Sequence, residues 1–370
     1  MPKAAYHNPQ NNLHPSIHHA TAGNRIHYER HRPEETTLYQ LVQEHVETFF
    51  AQVETETGSG LPDFVRDEFD AFLECGILAH GFLRLRCADC AQEKLVAFSC
   101  KRRGFCPSCG GRRMAQTAAH LADHVIPNVP VRQWVISLPI PLRYLFAAHP
   151  HLLSPVLQVI NRAISTFIIK QAGLKRMNAK TGATTLIQRF GSAANLNIYL
   201  HCLILDGVYR RQNGVPEFHG ARTSAVEQLR ALLSQIIKRV MKALTRHDGL
   251  IEEEEMTYLA EIEADAALAP LQSAACTYRI ALGPRAGQKV LTLKTAQITS
   301  TQNPQQLPSH QKHCVNMRGF SLYAGVRCAM NQRKELEQLC RYITRPTIAN
   351  ERPTRNSAGQ SLPSRRRGWC

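Results

Sequence analysis

The chain has 370 residues, 44% hydrophobic and 20% charged, which is long enough for one large core or two to three domains and lies outside the disordered range. Its 45 Lys and Arg against 29 Asp and Glu leave a formal charge of +16, which favours polyanionic partners, nucleic acid before acidic lipid. No uninterrupted apolar stretch reaches the roughly 18 residues of a membrane span, and the N-terminal "MPKAAYHNPQNNLHPSIHHA" lacks the apolar core of a secretory signal, so a cytoplasmic protein with no membrane partner is expected.

Residues 1–35, rich in His, Asn and Pro, read as a partly extended arm. "EETTLYQLVQEHVETFFAQVETE" predicts an amphipathic helix with Leu38, Leu41, Val42, Val46, Phe49 and Phe50 on one side. A Gly-Ser-Gly break ends it, and Pro62 opens a second helix carrying Phe64, Val65, Phe69, Phe72 and Leu73.

Next comes "CGILAHGFLRLRCADCAQEKLVAFSCKRRGFCPSCG". Twelve cysteines in a chain read as intracellular argue against a disulfide framework, and six fall between Cys75 and Cys109. Cys87/Cys90 and Cys106/Cys109 have the C-x2-C spacing that lets one knuckle place two thiolates about 2.3 Å from a tetrahedral ion. The minimum zinc site is therefore Cys87, Cys90, Cys106 and Cys109. Cys75, Cys100 and His80 offer further ligands, and spacing leaves open whether they share this site or form a second. Zinc is preferred to an iron–sulfur cluster because the pairs sit on ribbon turns among many arginines. The six isolated cysteines read as small buried hydrophobes. Arg84, Arg86, Lys94, Lys101, Arg102, Arg103, Arg112 and Arg113 surround the ligands. Part of that charge offsets thiolates; the whole suits a DNA-gripping surface that touches phosphates without reading sequence.

"RRMAQTAAHLADHVIP" predicts a helix stopped by Pro127, and "VRQWVISLPI" a strand with Trp134, Ile136 and Leu138 on one face. An apolar helix spans 150–172. "ATTLIQRF" and "NLNIYLHCLILDGVY" then predict a β-hairpin, whose second strand places Tyr199, His201 and Leu203 on one face. Taken alone, a histidine in such a strand is more often a satisfied core residue than a ligand. Asp206 either closes the turn or adds a metal contact. "SAVEQLRALLSQIIKRVMKAL" is a long amphipathic helix with Val226, Leu229, Leu232, Leu233, Ile236, Ile237 and Val240 inward. "EEEE" at 252–255 reads as a solvated face, and 284–311 as short strands or a linker. "CVNMRGFSLYAGVRC" predicts another strand, "NQRKELEQLCRYITRP" a helix ended at Pro346, and Arg365, Arg366 and Arg367 belong to a flexible basic tail.

Five stretches, "VAFSCKRRGFCPSCGGRR", "VRQWVISLPIPLRYLFA", "NLNIYLHCLILDGVY", "RGFSLYAGV" and "LCRYITRPTIANER", occur in an order that resembles insertion-sequence transposases of the HUH rolling-circle class, in particular the insertion-sequence common region type. The resemblance runs from about residue 10 to residue 359. It implies an α+β protein: N-terminal helices plus a zinc-binding ribbon, then an HUH-type antiparallel-sheet nuclease domain with flanking helices. The implied divisions are an arm at 1–35, a helical zinc- and DNA-binding domain at 36–126, a nuclease domain at 127–350 and a divergent basic tail at 351–370. It further implies structural Zn²⁺, and a His-hydrophobic-His pair on the central strand that helps hold Mg²⁺ or Mn²⁺. A helix tyrosine would attack a single-stranded or hairpin element end, leaving a 5′-phosphotyrosine and a free 3′-OH.

Carried onto this chain, the nucleophile is Tyr342 in "LCRYITRP", flanked by Arg341 and Arg345, and the metal-holding strand is the one with His201. Several positions depart from the pattern. The pair reads Tyr199-Leu200-His201, and a phenol with a pKa of about 10 is a poor Mg²⁺ ligand at neutral pH. Tyr323 stands where a histidine is expected. One turn before Tyr342 stands Gln338, which points to a single-tyrosine enzyme. The match fades before "SLPSRRRGWC", as a shortened C-terminus would. Two functions follow: a strand-nicking and joining enzyme, or a DNA-binding transposase remnant with impaired catalysis. A zinc-stabilised structural protein leaves the register of His201 and Tyr342 unexplained.

Overall fold

The structure, a computed structural model, describes residues 31–191, 194–212, 215–253, 256–260, 265–290, 313–349, 353–355 and 361–363. Most of the expected N-terminal arm, the 291–312 part of the expected linker and the Arg365–Arg367 run lie outside the described residues.

Helix α1 (Thr37–Thr57) starts where the Thr36 hydroxyl accepts the Tyr39 N–H and stops at Gly58 in the left-handed region (φ 71°). α2 (Asp63–Glu74) follows, preceded directly by Pro62. Phe69 and Phe72 of α2 each stack 4.9 Å from Phe105, which ties the helix pair to the cysteine segment. That segment forms an antiparallel hairpin, β1 (Phe82–Arg86) with β2 (Glu93–Ala97), and leads into α3 (Pro107–His120), begun by Pro107 at its first turn. A wider π turn over Leu121–Val125 carries α3 to its end before Pro127.

The main sheet is antiparallel, in the order β11-β12-β3-β6-β5, with β13 also pairing β3. Its strands are β3 (Val131–Ser137), β5 (Ala183–Phe190), β6 (Leu196–Leu205), β11 (Cys314–Met317), β12 (Phe320–Tyr323) and β13 (Arg327–Cys328). The connections hold α4 (Ile140–Ala148), α5 (Leu153–Gln171), α6 (Val226–Arg246) and α7 (Leu268–Thr277). Smaller sheets among the described residues include β4 (Ala179–Lys180) with β7 (Gly207–Gln212) and β8 (Val215–Gly220), β9 (Leu250–Glu253) with β10 (Met256–Leu259), and β14 (Pro353–Arg355) with β15 (Ser361–Pro363). α8 (Arg333–Ile343) closes the domain.

The stretch 314–328 is not a single strand but the hairpin β11–β12 followed by β13. Arg318 and Gly319 both take positive φ (50° and 78°), which folds the chain back on itself. Alternation of side chains reads the same along one long strand and two short ones, so the pattern alone missed the turn.

The central strand β6 is buried on both faces, which explains its nearly unbroken apolar run. Ile198, Leu200, Cys202 and Ile204 face a core built from Trp134 and Ile136 of β3, Leu138 just beyond it, and the apolar stripes of α4, α5 and α6. Burying each such Leu or Ile contributes about 1.5–3 kcal/mol. Pro150–Gln171 has the length and mean hydropathy (1.5) of a membrane span, contrary to the reading from uninterrupted runs. Its Val156, Ile160, Ala163, Ile164 and Ile168 pack into this core instead.

The opposite face of β6 carries Tyr199, His201, Leu203 and Leu205. Leu203 and Leu205 pack with Ala118 of α3 and Leu336, Cys340 and Ile343 of α8. The zinc-binding segment and the sheet therefore meet through α3 and α8. A Cβ on Gly110 would lie 2.7 Å from Pro346, and Arg333 donates to the Ile126 carbonyl at 3.0 Å.

Candidate functional site

Cys75 ends α2, Cys100 follows β2, and Cys106 and Cys109 bracket the start of α3. Their sulfurs gather within 4.8 Å of one another, with Cys100–Cys109 at 3.4 Å, Cys75–Cys106 at 3.6 Å and Cys75–Cys109 at 3.7 Å. A tetrahedron with Zn–S bonds of about 2.3 Å has edges of about 3.8 Å, so four thiolates placed this way fit zinc. The crowding is visible in the thiols themselves. Cys75 is held down to about 5, chiefly by the hydrogen bond from Cys106, while Cys106 is pushed up by that same bond and by burial. The positive end of the α3 dipole favours thiolates at Cys106 and Cys109.

This is not the expected minimum set. Cys106 and Cys109 belong to it, but Cys87 and Cys90 do not; they sit exposed at the tip of the β1–β2 hairpin. The cause is the hairpin. Pairing Phe82 with Ala97, and Gly76 N–H with the Phe98 carbonyl, closes its base and brings Cys75 beside Cys100, while Cys87 and Cys90 are carried to the far end. Spacing favours neighbours in sequence, whereas the fold joins the ends of a hairpin. His80 also stays outside the cluster and faces Glu74 at 4.0 Å.

The basic residues around this centre divide into two groups. Arg84 pairs with Glu93 at 2.7 Å, Arg102 approaches Asp67 and Glu68, and Arg113 donates to the Lys101 carbonyl. Arg86, Lys101, Arg103 and Arg112 are exposed. Arg341 on α8 pairs with Glu337 at 2.8 Å.

The second constellation lies on the outer face of the sheet. The Nδ1 atom of His201 is 2.9 Å from the Gln133 amide on β3, and its Nε2 is buried with no hydrogen-bond partner among the described residues. Burial, and then the Arg345 charge, depress its pKa to about 4, so the ring is neutral at pH 7. The Tyr199 hydroxyl accepts from Asn197 Nδ2 at 2.6 Å. Burial raises the Tyr199 pKa, helped by the neighbouring Tyr278 and Tyr342, so it stays a neutral phenol. The Arg345 guanidinium lies 4.4 Å over the ring of Tyr342. Tyr342 thus influences Tyr199, and Arg345 influences both Tyr342 and His201. The tyrosine on α8 and the histidine on β6 share one cluster. Tyr323 pairs with Val135, whose other neighbour is His201, so its register sets it on this same face.

Gln133, Arg143, Asn197 and Tyr278 also belong here and were not singled out from sequence. Arg143 is anchored by donating to the Leu138 carbonyl at 2.7 Å, and its charge reaches Tyr199. Gln133 left a signal, being a buried polar residue on a strand otherwise patterned for a core. Arg143, inside an apolar helix, left none. Asp206 is not part of the site. Arg132 grips it with two bonds (2.8 and 3.1 Å) and Arg327 with one (2.6 Å), closing the strand end rather than offering a metal contact.

A divalent-ion site of the two-histidine kind does not fit these residues. His201 Nε2 is one free donor, but the position two before it holds a neutral phenol already engaged by Asn197. Among the described residues no three His, Cys, Asp or Glu gather around His201. Mg²⁺ and Mn²⁺ require several oxygen or nitrogen donors in near-octahedral array.

Residues 41–138 match the IS91-type family described as "Transposase zinc-binding domain", and residues 182–361 match the Y2-type family described as "Putative transposase". The two matches, in this order along the chain, identify a transposase whose zinc-binding domain precedes an antiparallel-sheet domain. The chain belongs to the IS91 family of HUH rolling-circle transposases. No curated protein and no solved structure matches it.

Proposed function

We propose that the chain nicks and transfers single-stranded DNA at the ends of a mobile element, with Tyr342 as nucleophile. The observation that carries this reading is the stacking of Arg345 on Tyr342 beside the buried, neutral His201. The Tyr342 oxygen would attack the phosphorus while the bond from phosphorus to the 3′ oxygen breaks. The proton lost by the phenol is regained by the leaving 3′ oxygen. One phosphodiester replaces another, so the step is nearly isoenergetic, and attack by a different 3′-OH reverses it into strand transfer. Arg345 and Arg143 supply positive charge where the non-bridging oxygens gain negative charge. The zinc-held ribbon, through Arg86, Lys101, Arg103 and Arg112, would hold the flanking backbone.

The test is a labelled single-stranded oligonucleotide carrying an element end, incubated with protein and Mn²⁺ and run on a denaturing gel. A covalent adduct that vanishes in Tyr342→Phe is expected. An adduct persisting in that variant would overturn the assignment. A second reading, a DNA-binding protein with little catalysis, is favoured by one observation, the neutral phenol of Tyr199 at a ligand position. Tight binding with no adduct from the unaltered chain would support it.

A further inference from the structure

With the zinc centre complete in Cys75, Cys100, Cys106 and Cys109, the pair Cys87/Cys90 is left over. Cys87-Ala88-Asp89-Cys90 caps the β1–β2 hairpin, and the turn is shaped as a metal knuckle. The Cys87 N–H donates to the Gln92 carbonyl at 2.9 Å, and the Ala91 N–H to the Cys87 carbonyl at 3.1 Å. The N–H groups of Asp89 and Cys90 point at the Cys87 sulfur. Ala91, directly after the second cysteine, holds a left-handed φ of 56°, which costs a non-glycine residue energy. Both thiols are exposed, and among the described residues no third ligand joins them.

Two thiolates are half of a tetrahedral zinc site. The hairpin bearing them is also incomplete. Leu83, Leu85 and Phe98 (54%, 52% and 51% exposed) line one face with the half-buried Val96, and Lys94 stands opposite Leu85 at its tip end. A two-stranded ribbon with an open apolar face is marginal alone and is stabilised when that face is covered. The other face carries Arg84, Arg86 and Glu93 together with Phe82, Leu95 and Ala97, so it is mixed rather than uniformly apolar.

We propose that a second copy of this chain covers the face of Leu83 and Leu85 and that one zinc ion bridges the two hairpin tips, held by Cys87 and Cys90 from each copy. A second copy is the occupant that supplies both missing elements at once, two thiolates at knuckle spacing and an apolar strip of equal length. The contact is isologous, as twofold pairs are. It sets two basic ribbons side by side.

The test is zinc content by elemental analysis together with mass by light scattering, on the full chain under reducing conditions. Wild type should be a dimer carrying about one and a half zinc ions per chain, and Cys87→Ser/Cys90→Ser a monomer carrying about one. Leu83→Lys/Leu85→Lys, which keeps all thiols, should weaken the dimer at least tenfold and serves if the serine variant fails to fold. A monomer with about two zinc ions per chain would show ligands supplied from within the chain and overturn the proposal. So would a wild-type monomer with about one zinc, or a dimer that survives loss of both thiols.

Discussion

The guanidinium of Arg345 lies over the ring of Tyr342 at 4.4 Å, and its charge reaches His201 on the neighbouring strand. A cation on a phenol's face stabilises the ring modestly, by about 0.5–2 kcal/mol. Beside a phosphate it acts more strongly, because the developing charge sits where the guanidinium already is. Arg345→Ala should lower the rate of tyrosine–DNA adduct formation by on the order of 10²–10³. Oligonucleotide affinity, measured by fluorescence anisotropy, should change far less. Equal losses in both would mean that Arg345 only binds DNA.

Tyr199 is the departure with the clearest chemical consequence. Replacing it with histidine puts a second imidazole two residues from His201 on the same face, where its pKa suits metal ligation at pH 7. Tyr199→His should raise Mn²⁺ affinity, read by isothermal calorimetry, and with it the yield of adduct. An unchanged affinity in a folded variant would remove the metal from the His201 face.

The histidine also sets a pH window. Its folded pKa of about 4 lies below the unfolded value near 6.5, so between these limits the unfolded chain binds more protons. Stability from this group is therefore complete above about pH 6.5 and declines as pH falls toward 4. The loss at the lower end is about 3 kcal/mol at most. Urea unfolding at pH 7 and pH 5 should show the decline in wild type and a flatter response in His201→Gln. Identical pH dependence in both would contradict it.

Asp206 titrates in a different window. Burial opposes its ionisation, but the bonds and charges of Arg132 and Arg327 outweigh that and hold its carboxyl below the usual range. Its contribution is present above the ordinary carboxylate pKa and is lost as pH falls through the lowered one. Asp206→Asn leaves Arg132 nearly buried without its charge partner and should cost about 3 kcal/mol at pH 7. Arg327 is half exposed, so Arg327→Ala should cost under about 1 kcal/mol. Denaturant midpoints measure both, and a larger effect at Arg327 would reverse the ranking.

The two cysteine groups predict different outcomes. Cys100→Ser should remove the zinc held inside the chain and lower the melting temperature, since Cys75, Cys106 and Cys109 pack with Leu38, Tyr39 and Phe72. Cys87→Ser should leave that ion in place. Zinc analysis of each, with a thermal melt, decides the matter; loss of the inner ion in Cys87→Ser would restore the pairing expected from spacing.

The sequence by itself determined the elements and their chemistry. Alternation along "NLNIYLHCLIL" set Tyr199 and His201 on one face, heptad-like spacing gave α6 its inward stripe, and the ordered motifs named the family. Those features are local, written within a few residues of each other. Only the tertiary structure decided which cysteines meet, because hairpin closure joins Cys75 to Cys100 across 25 positions. Only it turned 314–328 into a hairpin and brought Gln133, Arg143 and Arg345 to His201 and Tyr199. Such contacts come from strand register and from α8 packing on the sheet, and both depend on burying surfaces far apart in the chain.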